Sequence, residues 1–364
     1  MDLLSLHELH ASLGAVFGSI NGVEMVEHYG DPSAEYRALR ESAAVFDLGF
    51  RGRFCLTGAD RVRLLHGQVT NDVQGLKAGQ GCYTAVVTNK GRMQCDAFVY
   101  ALPQELLLDV EPGVSTAFRQ RLEHHIIADD VQVVDAAPYY GLLSVQGPRA
   151  AEAVAGLELG IEPPASALGF STVSPAGLGE IYLVNQPRIG LPGFEMFVPT
   201  DAQGMVHDRL LASAKAQGGC GAGWSAFELA RIEAAVPRFG VDMDESNLPP
   251  EAGIEGRAVS LDKGCYIGQE ILARLRTYGQ VTRALRGLRI DCVSGGLPVR
   301  GDKLRYEGRD VGQLTSVAWS DSAGGAIALG YVRRECFRSG TELLVASASR
   351  GELRARIVDV PFVR

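Results

Sequence analysis

The chain has 364 residues, of which 46% are hydrophobic, 21% charged and 7% aromatic, a composition that predicts two or three folded domains and excludes an intrinsically disordered protein. Its net charge of -8 argues against a general nucleic-acid binder, because such binding depends on neutralising phosphates. The seven cysteines form no Cys-x-x-Cys pair, which excludes a zinc-knuckle or ferredoxin-type motif and favours free thiols in a reducing cytoplasm.

Helix and strand patterns alternate over the N-terminal part of the chain. Apolar residues at helical spacing predict helices over 3–18 and 35–44, and short apolar runs predict strands over 45–48 and 54–57. A further helix is predicted to begin at Arg61. These patterns predict a sheet packed against helices.

A β-hairpin is predicted over 83–102, with an Asn-Lys-Gly turn at 89–91 between two β-rich runs. On its second strand, alternation places Asp96 on the same face as Phe98 and Tyr100. A carboxylate inside a strand is unusual, because strands are depleted in Asp and burying an unpaired acid costs free energy. Either Asp96 has a functional partner, or it faces water at a sheet edge, and the pattern leaves both open.

The middle of the chain continues this alternation and contains a second acid of the same kind. Helices are predicted over 114–126, 149–156, 205–217 and 225–234, and strands over 131–134, 139–145, 181–184 and 194–198. Glu195 lies inside the last of these strands, on the face opposite Phe194 and Met196. The acidic residues from Asp242 to Glu245 are predicted to form a solvated turn, because their spacing lacks the glycine and terminal Glu of a calcium loop.

From about residue 286 to the end, the sequence consists of short β-rich runs punctuated by glycine. Strands are predicted over 288–291, 311–315, 326–332, 342–346 and 352–360. Several short strands with regular turns and little helix predict a small barrel or sandwich domain.

The stretch 261–270 places a thiol between glycines, directly before a helix predicted over 269–276. Gly268 is the expected N-cap of that helix. The positive end of the helix and the cation of Lys263 would both favour the nucleophilic thiolate form of Cys265. The alternative, that the glycines only form a turn and Cys265 is a small buried filler, stays open.

The literal string at 263–270, Lys-Gly-Cys-Tyr-Ile-Gly-Gln-Glu, resembles the signature of the YgfZ-type folate-binding proteins. These are relatives of the glycine-cleavage T protein, an aminomethyltransferase, and they support iron–sulfur enzymes. Further blocks similar to this superfamily cover nearly the whole chain. They lie at 36–47, 65–79, 83–100, 145–148, 193–195, 229–233 and 361–363.

The resemblance implies an α+β fold: a three-domain T-protein-like ring with ferredoxin-like α/β domains, a C-terminal β-barrel and a central folate channel. The implied domains are a discontinuous folate-binding domain at 1–50, 135–185 and 225–285, an α/β folate-binding region at 51–134 and 186–224, and the barrel at 286–364. The implied cofactor is tetrahydrofolate or a derivative, and no metal site is implied.

Carried onto this sequence, the resemblance implies that Asp96 is the catalytic carboxylate beside folate N5. One-carbon transfer to N5 passes through a cationic aminomethyl or iminium species, which a fixed carboxylate stabilises. Glu195 falls at the acid that hydrogen-bonds the pterin ring, and Tyr83 and Arg231 fall at further folate-binding positions. Cys265 would be the functional thiol. The motif residues are Lys263, Gly264, Cys265, Tyr266, Gly268, Gln269 and Glu270.

The sequence also departs from the T-protein pattern. Cys95 replaces the first acid of a paired Asp-Asp, and Phe227 replaces an arginine that would contact folate, although Arg231 is kept. The Ser-His-Met that follows Phe-Asp-Val in T proteins is absent after Leu48. These departures argue against efficient glycine-cleavage chemistry, whereas the retained acids Asp96 and Glu195 support folate binding.

The sequence therefore predicts a tetrahydrofolate-binding YgfZ-like protein that supports iron–sulfur cluster assembly or repair and, through its client enzymes, tRNA modification. The alternatives are a folate-dependent aminomethyltransferase or demethylase that uses Asp96, and a non-catalytic folate-binding scaffold. Expected partners are folate and iron–sulfur assembly proteins or clients, with no direct nucleic acid and no membrane. A cytoplasmic location is expected, because the sequence has neither a secretory leader nor an apolar run of about 18 residues.

Overall fold

The structure, a computed structural model, describes residues 2–347 and 350–363. It contains two compact units. The first is formed by the chain up to Thr84 together with Ala97–Glu228, and the second by Ala85–Asp96 together with the chain from Leu229 onwards. In the described residues, no helix is both long and apolar enough to cross a membrane.

The strands, in chain order, are β1 (Val16–Ile20), β2 (Val23–His28), β3 (Ala44–Asp47), β4 (Gly52–Thr57), β5 (Gln80–Val87), β6 (Met93–Ala101), β7 (Leu106–Val110), β8 (Gln132–Asp135), β9 (Tyr140–Gln146), β10 (Phe170–Val173), β11 (Ile181–Asn185), β12 (Gly193–Pro199), β13 (Cys220–Gly221), β14 (Arg283–Ile290), β15 (Lys303–Tyr306), β16 (Arg309–Ser320), β17 (Gly325–Arg333), β18 (Glu342–Ser347) and β19 (Gly351–Val358). The α-helices are α1 (His7–Ser12), α2 (Pro32–Glu41), α3 (Arg61–Gln68), α4 (Ser115–His125), α5 (Ala150–Ala155), α6 (Thr200–Ala216), α7 (Trp224–Glu233), α8 (Glu255–Ala258) and α9 (Gln269–Tyr278).

A six-stranded sheet in the order β10-β11-β12-β9-β3-β13 lies in the first unit. Helices α5 and α6 pack against it and bury an apolar core that includes Val154, Met196 and Leu210. Removing such aliphatic side chains from water is the main driving force for folding. The register pairs Glu195 of β12 with Ser144 of β9 and Val184 of β11, so Glu195 lies inside the sheet rather than at an edge.

A five-stranded sheet has the order β5-β6-β7-β4-β8, which places β7 at its centre. Asp109 of β7 is paired with Phe98 of β6 on one side and with Arg53 of β4 on the other. The end of the β5–β6 hairpin, residues 85–96, belongs to the second unit. Both sheets therefore carry an acid on a central strand, Glu195 in one and Asp109 in the other.

The C-terminal strands form a closed barrel in the order β14-β17-β16-β15-β18-β19, in which β14 pairs with both β17 and β19. Its core includes Leu288, Leu314 and Val345. The predicted mixed α/β fold with a C-terminal β-barrel is confirmed. The ring arrangement and the domain boundaries stay predictions. Strand β12 and helix α6 pack with β9 and β11 in the six-stranded sheet, whereas the predicted boundaries assign β12 and α6 to the same domain as residues 51–134.

Two expectations about local structure are wrong. The helix predicted over 3–18 is limited to α1, because Gly14 takes a left-handed φ of +81° after it and the chain then forms the β1–β2 hairpin. The Asn21-Gly22 turn of that hairpin has positive φ at both residues, as a type I′ turn requires. The acidic turn is not solvated throughout, since Asp242 is 1% exposed.

Candidate functional site

Asp96 lies on β6 and is 8% exposed, so the predicted strand-interior acid is buried. The turn that precedes β6 is closed by hydrogen bonds from the Thr88 amide to the Arg92 carbonyl (2.8 Å) and from the Gly91 amide to the Thr88 carbonyl (2.9 Å). The Met93 amide donates to the Asn247 carbonyl at 2.9 Å. The strand that carries Asp96 is therefore fixed at the end nearer the turn.

The predicted motif at 263–270 packs against this hairpin. Gly268 caps α9 with a φ of +87°, and a Cβ at this position would overlap the Thr88 carbonyl oxygen and lie 2.7 Å from Val87 Cγ2. Gly91, in the hairpin turn, would place a Cβ 3.2 Å from Ile271 of α9. Only glycine satisfies both the left-handed backbone and the close approach at 268. The motif thus supports the hairpin that carries Asp96.

Cys265 is an exposed free thiol, so the expectation of a buried filler is wrong. The Lys263 side chain is largely buried, and its ammonium lies 4.9 Å from the centre of the Tyr266 ring. Gln269 and Glu270 begin α9, and Glu270 pairs with Arg274 at 2.7 Å on an exposed surface. Among the described residues, no group of three or more His, Cys, Asp or Glu side chains is arranged to hold a metal ion.

Glu195 belongs to a buried charge network in the first unit. Arg188 donates from Nε to Glu195 Oε1, from Nη2 to Glu195 Oε2 (2.6 Å) and from Nη2 to Asp109 Oδ2 (2.5 Å). Arg51 donates from Nε to Asp109 Oδ1 (2.7 Å) and from Nη1 to Glu111. Glu195 and Asp109 are fully buried. The five bonded side chains comprise three carboxylates and two guanidiniums.

The electrostatics of this network follow from burial opposed by ion pairing. Burial raises the pKa of the Glu195 carboxyl, and the charge of Arg188 opposes that shift. Burial alone would lower the pKa of Arg188, but the charges of Asp109 and Glu195 outweigh it and raise the pKa well above its ordinary value. Arg188 is therefore a permanent cation that holds two buried carboxylates together.

Aromatic rings border the same network. The Arg188 guanidinium lies 4.7 Å from the centre of the Phe98 ring, and Phe98 lies 4.9 Å from the Tyr83 ring, tilted by 39°. Tyr100 is 1% exposed, and among the described residues its hydroxyl has no hydrogen-bond partner. Burial, followed by the charges of Glu195 and Asp109, raises the pKa of Tyr100 well above its ordinary value. Tyr100 is consequently a neutral phenol whose hydroxyl finds no acceptor in the part of the chain that the structure describes.

The remaining predicted folate residue, Arg231, is 1% exposed in the second unit. Its guanidinium donates to Asp242 Oδ2 at 2.5 Å and to Ser316 Oγ at 2.7 Å. These contacts tie α7 to the barrel strand β16, and a folate contact at Arg231 stays a prediction. Phe227 is buried in the first unit, stacked on Trp224 at 4.9 Å, so it supplies no charge where an arginine was expected.

Sequence reasoning missed Asp109, Arg51 and Arg188. Asp109 lies inside the apolar run Leu106–Val110, the same signal of an acid within a strand that identified Asp96 and Glu195. It was missed because β7 itself was not predicted. Arg188 lies in the loop between β11 and β12, where no local pattern indicates a buried cation.

Comparison with known proteins covers nearly the whole chain. Residues 6–263 match the GCVT N-terminal domain, and residues 283–364 match the glycine cleavage T-protein C-terminal barrel domain. The chain is 32% identical to the aminomethyltransferase of Symbiobacterium thermophilum, with 99% of this chain and 96% of that protein covered. It is also 32% identical to the aminomethyltransferase of Rubrobacter xylanophilus, over 99% and 93% of the two chains.

The fold is similar to that in the crystal structure of the glycine cleavage system aminomethyltransferase T from Bartonella henselae. The TM-score is 0.87, with 100% of this chain and 98% of that chain covered. Sequence identity between the two is 24%, so this likeness concerns the fold.

Proposed function

The chain belongs to the glycine cleavage T-protein family, and from that membership we propose that it is a tetrahydrofolate-dependent aminomethyltransferase. The observation that carries the proposal is Asp96, a carboxylate held in a buried position on β6. The relatives from Symbiobacterium thermophilum and Rubrobacter xylanophilus, which match nearly the full chain, are aminomethyltransferases. This favours the enzymatic alternative of the sequence analysis over the iron–sulfur role.

The residues around Glu195 suit a reduced pterin. Tyr83 and Phe98 offer flat aromatic surfaces, and the Tyr100 hydroxyl is a buried donor that lacks an acceptor among the described residues. Such an unsatisfied donor costs free energy until a ligand or water accepts from it. A flat heteroaromatic ring with peripheral nitrogens and a carbonyl matches this set of groups.

Tetrahydrofolate, when bound, supplies N5, the nitrogen that accepts the one-carbon unit. Asp96 stabilises the positive charge that develops on the transferred group and orients the amine that carries it. Burial strengthens this interaction, because a carboxylate shielded from water acts in a medium of lower dielectric constant. The hairpin contacts with Gly268 and Asn247 keep the strand in place, so little reorganisation is needed during transfer.

The test is an assay in which the purified protein is incubated with tetrahydrofolate and aminomethyl donors. Formation of methylenetetrahydrofolate is measured by mass spectrometry. We expect Asp96→Asn to lower turnover by about 10²–10³-fold, the effect of removing one preorganised electrostatic group, with folate affinity changed much less. Cys95→Ala, at the buried neighbouring position, is the matched control and should retain turnover. A wild-type protein that binds folate without turnover would instead support the non-catalytic scaffold.

The YgfZ-like role is a second candidate, favoured by one observation that aminomethyl transfer leaves unused. Cys265 is exposed, and it lies in a loop whose neighbouring Gly268 is held against the hairpin. In cells that lack a YgfZ-type protein, Cys265→Ala should lose support of iron–sulfur enzymes and of thiomodified tRNA, whereas Asp96→Asn should retain it. Full support by Cys265→Ala would remove this candidate.

A further inference from the structure

Arg188 has an incomplete set of hydrogen bonds in this network. A guanidinium carries five N–H donors. The one on Nε and one on Nη2 go to Glu195, and the second on Nη2 goes to Asp109. Among the described residues, no group accepts from Nη1, and the side chain retains 7% exposure. The two Nη1 donors are therefore hydrogen-bonding groups of the network that remain available to a ligand.

Glu195 offers the opposite situation. Both of its oxygens accept from Arg188, and its side chain has no exposed surface. The donor edge of a pterin, its N3–H and 2-amino group, would have to displace Arg188 to use this carboxylate. That exchange replaces a cation by a neutral donor pair and separates a buried ion pair, which is unfavourable. With Arg188 bound to Glu195, the network therefore offers a ligand hydrogen-bond donors of Arg188 and not the acceptor oxygens of Glu195.

We propose that Arg188 is the specificity-determining residue of this site, and that it makes the network recognise a hydrogen-bond acceptor on the ligand. This rests on the proposed function, because the ligand is taken to be reduced folate. The acceptor is the C4 carbonyl of the pterin, directed at the Arg188 Nη1 donors. The Tyr100 hydroxyl, which lacks an acceptor among the described residues, is a second donor in the same network.

Charge selects a carbonyl over a carboxylate. The five bonded side chains carry three formal negative and two formal positive charges, and an anionic ligand group at Arg188 would be repelled by the two carboxylates, Glu195 and Asp109, that Arg188 already pairs. Arg53, paired with Asp109 across β4 and β7, is a third buried cation beside the network, and among the described residues it donates to the carbonyls of Tyr140, Gly49 and Arg51. A neutral carbonyl gains the charge-assisted hydrogen bonds without that repulsion.

The experiment compares tetrahydrofolate with its 4-amino analogue, which replaces the C4 carbonyl by a donor, in calorimetric titrations of the full chain. We expect the wild type to bind tetrahydrofolate at least about tenfold more tightly, because the analogue opposes donors to donors. Arg188→Met should reduce that preference to about threefold or less. Arg305→Met, at an arginine on the barrel surface, is the control and should keep the full preference.

The outcomes separate this inference from the proposed function. Equal binding of the two ligands by the wild type, or a preference that survives in Arg188→Met, overturns the inference while folate binding stands. Binding of neither ligand overturns both. Arg188→Met leaves the Glu195 carboxylate buried without its partner. The double variant Arg188→Met with Glu195→Gln removes that uncompensated charge, and it too should lose the preference for tetrahydrofolate over the 4-amino analogue.

Discussion

Replacing Gly268 by alanine perturbs the contact between the 263–270 motif and the hairpin that carries Asp96. Gly268 has a φ of +87°, and an added Cβ would overlap the Thr88 carbonyl oxygen and lie 2.7 Å from Val87 Cγ2. The left-handed backbone costs an alanine about 1–2 kcal/mol, and overpacking against rigid backbone adds about 1–3 kcal/mol. We therefore expect Gly268→Ala to lower the free energy of unfolding of the second unit by about 2–5 kcal/mol.

Alanine variants of two other glycines of the same unit separate the cost of the left-handed backbone from the cost of overpacking. Gly301 has a φ of +92° with no atom within 4 Å of an added Cβ, so Gly301→Ala should pay only for the backbone conformation, about 1–2 kcal/mol. Gly256 lies in α8 with open space around the added Cβ. Gly256→Ala should be neutral or stabilise by up to about 1 kcal/mol, because alanine is the better helix former.

Urea titrations followed by tryptophan fluorescence measure these differences. The sequence has two tryptophans, so a Trp224→Phe background leaves Trp319 of β16 to report unfolding of the second unit. The same proteins should be assayed for folate-dependent turnover, which we expect to fall in Gly268→Ala because the hairpin must shift. If Gly268→Ala is no less stable than Gly301→Ala, the close contact with the hairpin is not real and the supporting role of the motif is refuted.

Three further outcomes are expected. Arg188→Met should cost about 3–5 kcal/mol of unfolding free energy by leaving Glu195 unpaired, and adding Glu195→Leu should restore most of it in denaturant titrations; strictly additive losses would contradict the coupling. Burial, reinforced by a neighbouring histidine charge, lowers the pKa of His207 below its ordinary 6.5. The unfolded chain then binds a proton that the folded chain does not, so stability should fall as pH drops below about 6.5, and less steeply in His207→Gln; an unchanged pH slope would argue against it. Thiol labelling at about pH 8 should modify exposed Cys265 first and Cys220, whose pKa burial raises to about 11, much later; Cys265→Ser should remove the fast phase.

Features that depend on local periodicity and turn chemistry could be predicted from the amino-acid sequence. The β5–β6 hairpin, the strand around Glu195, helix α9 and five of the six barrel strands follow from short-range patterns, and the structure contains them, whereas β15 was not predicted. The placement of Asp96 and Glu195 inside strands also followed, but the pattern left open whether Asp96 is buried or faces water at a sheet edge. The family resemblance rested on literal strings, which need no tertiary information.

The partners of those acids became known from the three-dimensional fold. Arg188 and Asp109 are 79 residues apart in the chain, and their ion pair depends on the arrangement of two sheets, which no local pattern encodes. Gly268 and Thr88 are likewise remote in sequence, yet their close approach gives the 263–270 motif its supporting role. Charge pairing and close packing act through space, so a single sequence specifies the candidates but not their partners.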